Sequence, residues 1–437
     1  MKGEADRMKK WLSVVGAAAL MGSVLSGCGG KDEAGNEAAK GQEKPAGVVT
    51  VKILNFKVEI AEQFNKLKDE YEKTHPGVKL QIDTLLGGDD YATQLKARFA
   101  SGEMPDIFNN EGYQQMDAWV EYLEDLSDQP WVKDEIPLAK EPTTRDGKVY
   151  GMPVGLEGLG LLVNKDMFAK AGITETPKTL TQLEEAAKKL QAAGNQPFVN
   201  QFDNWFPLGF HSANNAFAKQ PDPNAFIKGL NDGSTKITGN AIFKDWTHLL
   251  DVMIKYGNKN SLTTDYNSAS TQFATGKAAI NQGGNWLQPV LDKLNPGMNV
   301  GIIPMPINDD PAMNDKLFVG PANNWVIYNK SPVKKEAKEF LNWLVSSETG
   351  QKYLTKEFKF IPAFSNIKAN PADLGSIGAE VLQYIEQGKI LGWHWAKYPD
   401  GAAQEFGASM QRYIAGKING DQMLSEFQAA WDKMKKK

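Results

Sequence analysis

Apolar positions along the chain alternate between strand-like runs and helical stripes. The run Val51–Leu54 has the length and character of a short strand, and Ile60, Phe64, Leu67 and Tyr71 then fall on one helical face. His75-Pro76-Gly77 stops that helix, and Val78–Ile82 alternates apolar and polar as a second strand. Another stripe, through Tyr91, Leu95 and Phe99, ends at Ser101-Gly102 before a third strand at Asp106–Phe108. The order β-α-β-α-β predicts a mostly parallel sheet flanked by helices, whose ligands bind beyond the carboxyl ends of the strands. The texture recurs downstream. Leu183, Ala186, Ala187 and Leu190 stripe a helix opened by Thr179-Leu180-Thr181-Gln182, which has capping-box spacing. Ala337, Phe340, Leu341 and Leu344 stripe another, and Leu424, Phe427 and Trp431 a last one. The fold class is α/β.

Ahead of this pattern lies a segment of a different kind. Lys9 and Lys10 precede an uncharged run from Trp11 to Gly27, the charge-then-apolar order of an export signal. The run ends in Leu25-Ser26-Gly27-Cys28, which matches the bacterial lipobox. A membrane-spanning helix is the competing reading. It is disfavoured because the run sits at the lower limit of roughly 17–25 residues for a span, is rich in Gly, Ala and Ser, and has no basic cluster after it. The lipobox implies that residues 1–27 are a signal peptide and that Cys28 becomes a lipidated N-terminus. Each buried CH₂ contributes about 0.8 kcal/mol, so two or more acyl chains anchor stably where one does not. Glu4 and Asp6 are unusual in such a leader, which leaves Met8 as an alternative start. The rest of segment 28–48 is mostly Gly, Ala, Glu and Lys, too poor in apolar surface to offset its ordering entropy. It is expected to be a flexible tether with a reach of about 25 Å.

Composition narrows the function. At 437 residues the chain exceeds what one hydrophobic core usually serves, so two domains are expected. The formal net charge of −4 is mixed in sign, without the basic face of a nucleic-acid binder. One cysteine excludes an intrachain disulfide and a thiolate zinc site. His75, His211, His248 and His394 form no ligand-spaced set, and no nucleophile elbow, phosphate loop or dinucleotide fingerprint occurs. No metal, cofactor or catalytic residue is expected. Carboxylates are numerous enough that a secreted glycoside hydrolase remains the alternative from another class. A sugar receptor would need aromatic plates for the apolar C–H faces of the ring and Asp, Glu, Asn or Gln for its hydroxyl edge, and the 11 tryptophans include candidates for such plates, with core packing the alternative for each. Trp205, Trp286, Trp393 and Trp395 stand in polar, Gly-rich or Pro-rich surroundings, whereas Trp246, Trp343 and Trp431 fall on helical stripes and are assigned to the core.

Several segments, in order, resemble the carbohydrate-uptake branch of the extracellular solute-binding proteins, relatives of maltodextrin-binding and multiple-sugar-binding proteins. They are ASGEMPDIF (Ala100–Phe108), the stretch from Asp146 to Leu190 containing GMPVGLEGLGLLVNKDMF, FATGKAAINQGGNWLQP (Phe273–Pro289), the stretch from Phe318 to Leu354, and IPA (Ile361–Ala363). The resemblance covers essentially all of residues 48–437. It implies two α/β lobes around a ligand cleft: residues 49–156 plus 322–365, and 157–321 plus 366–437. Hinge crossings would fall near Gly155–Gly160, Phe318–Pro321 and Ile361–Ala372.

The resemblance also nominates a site. Glu157 matches a hinge-proximal acidic ligand residue, and Phe202, Asp203 and Trp205 occupy the segment that supplies an acidic–aromatic pair. Trp286 and Trp393 match stacking tryptophans. Asn110 and Glu111, after the third strand, lie where relatives place polar contacts, although the relatives' Trp and Asp-Arg pattern is missing here. The loop Asn55–Glu59 is a positional guess. The implied mechanism is capture by lobe closure around an oligosaccharide, followed by delivery to the permease of an ABC importer. The protein would act as a monomer, lipid-anchored on the outer face of a cell membrane, of Gram-positive type given the tether. A solute other than a sugar is the remaining alternative within the family.

Overall fold

The computed structural model describes residues 47–85 and 91–435. The expected export signal, Cys28 and all but the last two tether residues lie outside the described residues.

In chain order the strands are β1 (Val49–Asn55), β2 (Val78–Thr84), β3 (Ile107–Asn110), β4 (Thr144–Arg145), β5 (Lys148–Val149), β6 (Gly151–Pro153), β7 (Leu156–Asn164), β8 (Gln196–Val199), β9 (Ala278–Gly284), β10 (Val300–Ile303), β11 (Leu317–Pro321), β12 (Asn324–Ile327) and β13 (Ile390–Leu391). β4 and β5 form a separate ribbon. The first lobe is built on a five-stranded sheet of order β2-β1-β3-β12-β6. The second is built on β13-β11-β7-β9-β8, with β10 also paired to β7.

The expectation of mostly parallel sheets holds for β1, β2 and β3 in the first sheet, and in the second only for the pairs β8–β9 and β11–β13. β12 runs antiparallel to β3 and β6, and β7 runs antiparallel to β9, β10 and β11. The reason is the route of the chain. It leaves the first sheet after Pro153 and enters the second at Leu156, then returns between Pro321 and Asn324. A strand arriving from the other lobe starts at the interlobe face, whereas its neighbours end there, so it must oppose them. A third connection follows Phe364, which bridges to Glu135 of the first lobe, and precedes the helix Pro371–Glu386 on the second.

At the first crossing, Gly158 and Gly160 lie inside β7, and none of Gly155, Gly158 or Gly160 has positive φ. A Cβ on Gly158 would sit 2.5 Å from Val381, and one on Gly160 would sit 2.4 Å from the Ile303 carbonyl oxygen. These glycines serve close packing.

The helical stripes fold as their periodicity requires. Ala61–Thr74 buries Phe64, Leu67 and Tyr71, and Leu180–Ala192 buries Leu183, Ala186, Ala187 and Leu190. Thr179 caps the latter helix at the Gln182 N–H, but Gln182 Oε1 accepts from Lys178 N–H and leaves the box half made. The full reciprocal box occurs at Asn419 and Gln422. Phe64 stacks on Trp325 in the first lobe, at 5.6 Å between centroids. In the second, Trp246 and Trp431 are fully buried with Phe217, Phe406 and Phe427. Trp343 packs half-buried against Tyr71.

Candidate functional site

Loops from both sheets converge on one cavity of about 280 Å³. That is near the lower end of the roughly 300–1,000 Å³ usual for small-molecule sites. From the first lobe come Phe56–Glu59 after β1, Tyr91 at the start of the helix Tyr91–Ser101, and Asn109 and Glu111 at the end of β3. From the second come Glu157 of β7, Gln201, Asn204–Pro207, Phe210 and His211 beyond β8, Trp286 beyond β9, and Trp393 and Trp395 beyond β13.

The second lobe contributes an aromatic wall. After Trp205 the chain makes a π-helical stretch, Phe206–Ser212, whose wide turns bring Phe206, Phe210 and His211 to the cavity with Trp205. The helix Ala402–Ile414 presses on this stretch so closely that a Cβ on Gly407 would sit 2.5 Å from Trp205 Cα. The rings are contiguous: Trp205 to Phe210 at 5.1 Å, Phe206 to His211 at 5.0 Å, His211 to Trp286 at 5.3 Å and Trp393 to Trp395 at 4.3 Å. Phe56 extends the wall from the first lobe, at 6.1 Å from Phe206 and 5.7 Å from Tyr91.

The polar groups are fewer and largely fixed. Asn109 Oδ1 accepts from Phe56 N–H at 2.9 Å, and Asn109 N–H donates to Tyr91 Oη at 2.7 Å, which locks the β1 loop to the β3 end. Lys57 Nζ lies 2.5 Å from Glu157 Oε1, and both side chains are buried. Burial pushes the Glu157 carboxyl above its usual range, against the pull of Lys57. Tyr266 Oη donates to Glu59 Oε1 at 2.5 Å, a second bond between lobes. The Glu111 carboxyl is raised to about 7 by burial. His211 is lowered to about 3, first by burial and then by the Lys57 charge, and so is neutral at physiological pH. Gln201 Oε1, His211 Nδ1 and Trp393 Nε1 are buried without a protein partner. Buried polar atoms of this kind are normally satisfied, and in a cavity wall they are available to a ligand.

Of the nominated residues, Glu111, Glu157, Trp205, Trp286 and Trp393 line the cavity. Asn110, Phe202 and Asp203 do not. Asn110 holds a turn together, accepting from Gly112 N–H at 2.8 Å and donating to the Gln115 carbonyl at 3.3 Å. Phe202 is 2% exposed within the core, and the Phe202 and Asp203 carbonyls accept from Gln411 Nε2. The irregular turn there presents Gln201, Asn204 and Trp205 instead. Lys57 and Glu59 fall within the β1 loop, a guess from position. Tyr91, Phe206, Phe210, Tyr266 and His211 were missed, and the only local signal for most of them was the aromatic density of NWFPLGFH.

Residues 57–351 match the family model described as bacterial extracellular solute-binding protein. The chain belongs to that family. Among relatives, it is 24% identical over 361 residues to the melibiose/raffinose/stachyose-binding protein MelE of Bacillus subtilis, covering 79% of this chain and 80% of that one. It is 27% identical over 379 residues to a maltooligosaccharide ABC transporter solute-binding lipoprotein of Streptococcus pneumoniae, covering 82% of each. Among solved structures, the solute-binding protein RafE in complex with raffinose superposes with a TM-score of 0.76 at 22% identity, covering 89% of this chain and all of that one. A Bacillus licheniformis sugar transporter in complex with stachyose gives a TM-score of 0.72 at 21% identity, covering 88% of this chain and all of that one. The two-lobed fold of this solute-binding protein is the one these structures share.

Proposed function

We propose that this protein is the sugar receptor of an ABC importer, taking an oligosaccharide into the interlobe cleft and presenting it to the permease. The observation that carries the reading is the continuous aromatic wall, Trp205 to Trp395, facing Glu157, Lys57 and Glu111. Ring faces cover the C–H surfaces of a sugar, and the carboxyls, amine and buried orphan atoms take its hydroxyls. The melibiose, raffinose, stachyose and maltooligosaccharide ligands named for relatives support a neutral oligosaccharide. Lobe boundaries follow the crossings after residues 153, 321 and 364. The lipobox ending at Cys28 supports an acyl anchor that holds the body at the outer face of a membrane.

A receptor role is favoured over hydrolysis by the state of the carboxylates. Glu157 is held by Lys57 and Glu59 by Tyr266, whereas glycoside hydrolysis needs a free acid and a second free carboxylate flanking the scissile bond. Calorimetric titration of the body, residues 47–437, with melibiose, raffinose and maltotriose is expected to show one-to-one binding of at least one sugar, recovered intact. Release of reducing sugar by the protein, or binding by none of a wider saccharide panel, would overturn the reading.

A further inference from the structure

The cleft wall holds the carboxyl groups of Glu59, Glu111, Glu157 and Asp400 against the amines of Lys57 and Lys96. Both amines are engaged, Lys57 with Glu157 at 2.5 Å and Lys96 with Asp400 at 3.7 Å. Glu59 accepts the Tyr266 hydroxyl. Glu111 differs. Its N–H donates to Gln115 Oε1 at 2.8 Å, but among the described residues no amine or guanidinium pairs with its carboxyl. Burial alone perturbs it, and His211, the remaining basic group of the wall, stays neutral.

We propose that Glu111 selects ligands by charge: the cleft favours a sugar bearing an ammonium group and turns away one bearing a carboxylate. The inference rests on the sugar-receptor reading and adds a class boundary to it. Like charges brought together in a cleft of low effective dielectric repel several-fold more strongly than in water. Lys57 is occupied by Glu157, and Lys96 lies 63% exposed at the rim beside Asp400, so a carboxylate brought to Glu111 gains no buried countercharge, and the aromatic faces around it are themselves electron-rich. An ammonium meets the reverse on both counts: an uncompensated acid, and ring faces that attract cations.

The test is calorimetric, at pH 8, where Glu111 is mostly ionised and a primary alkylammonium keeps its charge. Melibiose, raffinose and maltotriose are each titrated beside their 6-amino-6-deoxy and 6-carboxyl counterparts, into the unmodified protein and into Glu111→Gln. The amine is expected to bind the unmodified protein at least tenfold more tightly than the acid, with Glu111→Gln shrinking that ratio at least fivefold. Glu111→Ala serves as a second variant, with melting curves verifying that each is folded. Equal binding of amine and acid, or a ratio unmoved by both variants, overturns the proposal. If no neutral, amino or carboxyl sugar binds, it is the sugar reading that has failed, and the charge rule with it.

Discussion

Lys57 Nζ meets Glu157 Oε1 at 2.5 Å across the floor of the cleft, joining the loop after β1 in one lobe to the start of the central strand in the other. Their side chains are 7% and 5% exposed, so the pair exists in this form only while the lobes are together. Tyr266 and Glu59 repeat the arrangement with a hydroxyl in place of the amine. Contact between the lobes therefore has a polar component made by the protein's own side chains.

Lys57→Met would leave Glu157 buried without its countercharge, a change that costs about 3–5 kcal/mol where the charge cannot escape. Here it can, because opening the cleft returns Glu157 to water. The expected result is a smaller loss in urea unfolding, about 1–2 kcal/mol, with a larger radius of gyration by small-angle scattering in the absence of ligand. Pairing it with Glu157→Gln should recover most of both effects. A compact single mutant with unchanged stability would show that the pair does not hold the lobes.

Glu135 predicts a pH dependence. Both its carboxyl oxygens are buried without a partner, and burial raises its pKa to about 8 despite Lys140. An acid held protonated in the folded state but ionised in the unfolded one binds more protons when folded. Stability from this group is thus fully present below the unfolded value near 4.3 and is lost as pH rises toward 8. Glu135→Gln should flatten the fall in urea stability over that window and stabilise the protein at pH 8 by about 1–3 kcal/mol. An unaltered slope would mean that another group carries it.

The sequence made elements legible where spacing alone decides them. The stripe Phe64, Leu67 and Tyr71 can bury only as a helix, and Val78–Ile82 only as a strand. Strand direction was not legible, because β7 opposes its neighbours as a result of where the chain enters the lobe. In the site, Trp205, Trp286 and Trp393 stood out through their surroundings. Phe202 and Asp203 looked equivalent to Trp205, since an irregular turn has no period from which to read facing. His211 was hidden because a 3.6-residue repeat sets it well off the face of Phe206, and only the wider π-helical turn brings the two rings together.

The proposed lipid anchor at Cys28 can be tested independently of the cleft. Cys28→Ser should leave the body folded and able to bind sugar, but move it from the membrane fraction to the medium. Retention on membranes after a salt wash would point to the apolar run Trp11–Gly27 as an uncleaved anchor.

Trp286 offers the sharpest test of the site. Its ring lies against Gly284, where a Cβ would sit 2.1 Å from the ring edge and 2.1 Å from the Gly158 carbonyl oxygen. It borders the cavity, is 9% exposed, and touches His211 at 5.3 Å. A purely structural tryptophan cut to Ala typically costs about 3–5 kcal/mol of folding stability. A ring that also forms a sugar platform should give a different division. Trp286→Ala is expected to weaken binding by about 2 kcal/mol or more, as aromatic anchors do at interfaces. Gly284→Ala keeps the indole but displaces it; it also presses on the Gly158 carbonyl oxygen, so its binding is compared only after melting curves show it folded. If the platform matters, Gly284→Ala should weaken binding and abolish the tryptophan fluorescence change on adding sugar, with the protein still folded. Full affinity in folded Gly284→Ala, together with a large fall in the apo melting temperature of Trp286→Ala, would assign Trp286 to the core of the second lobe.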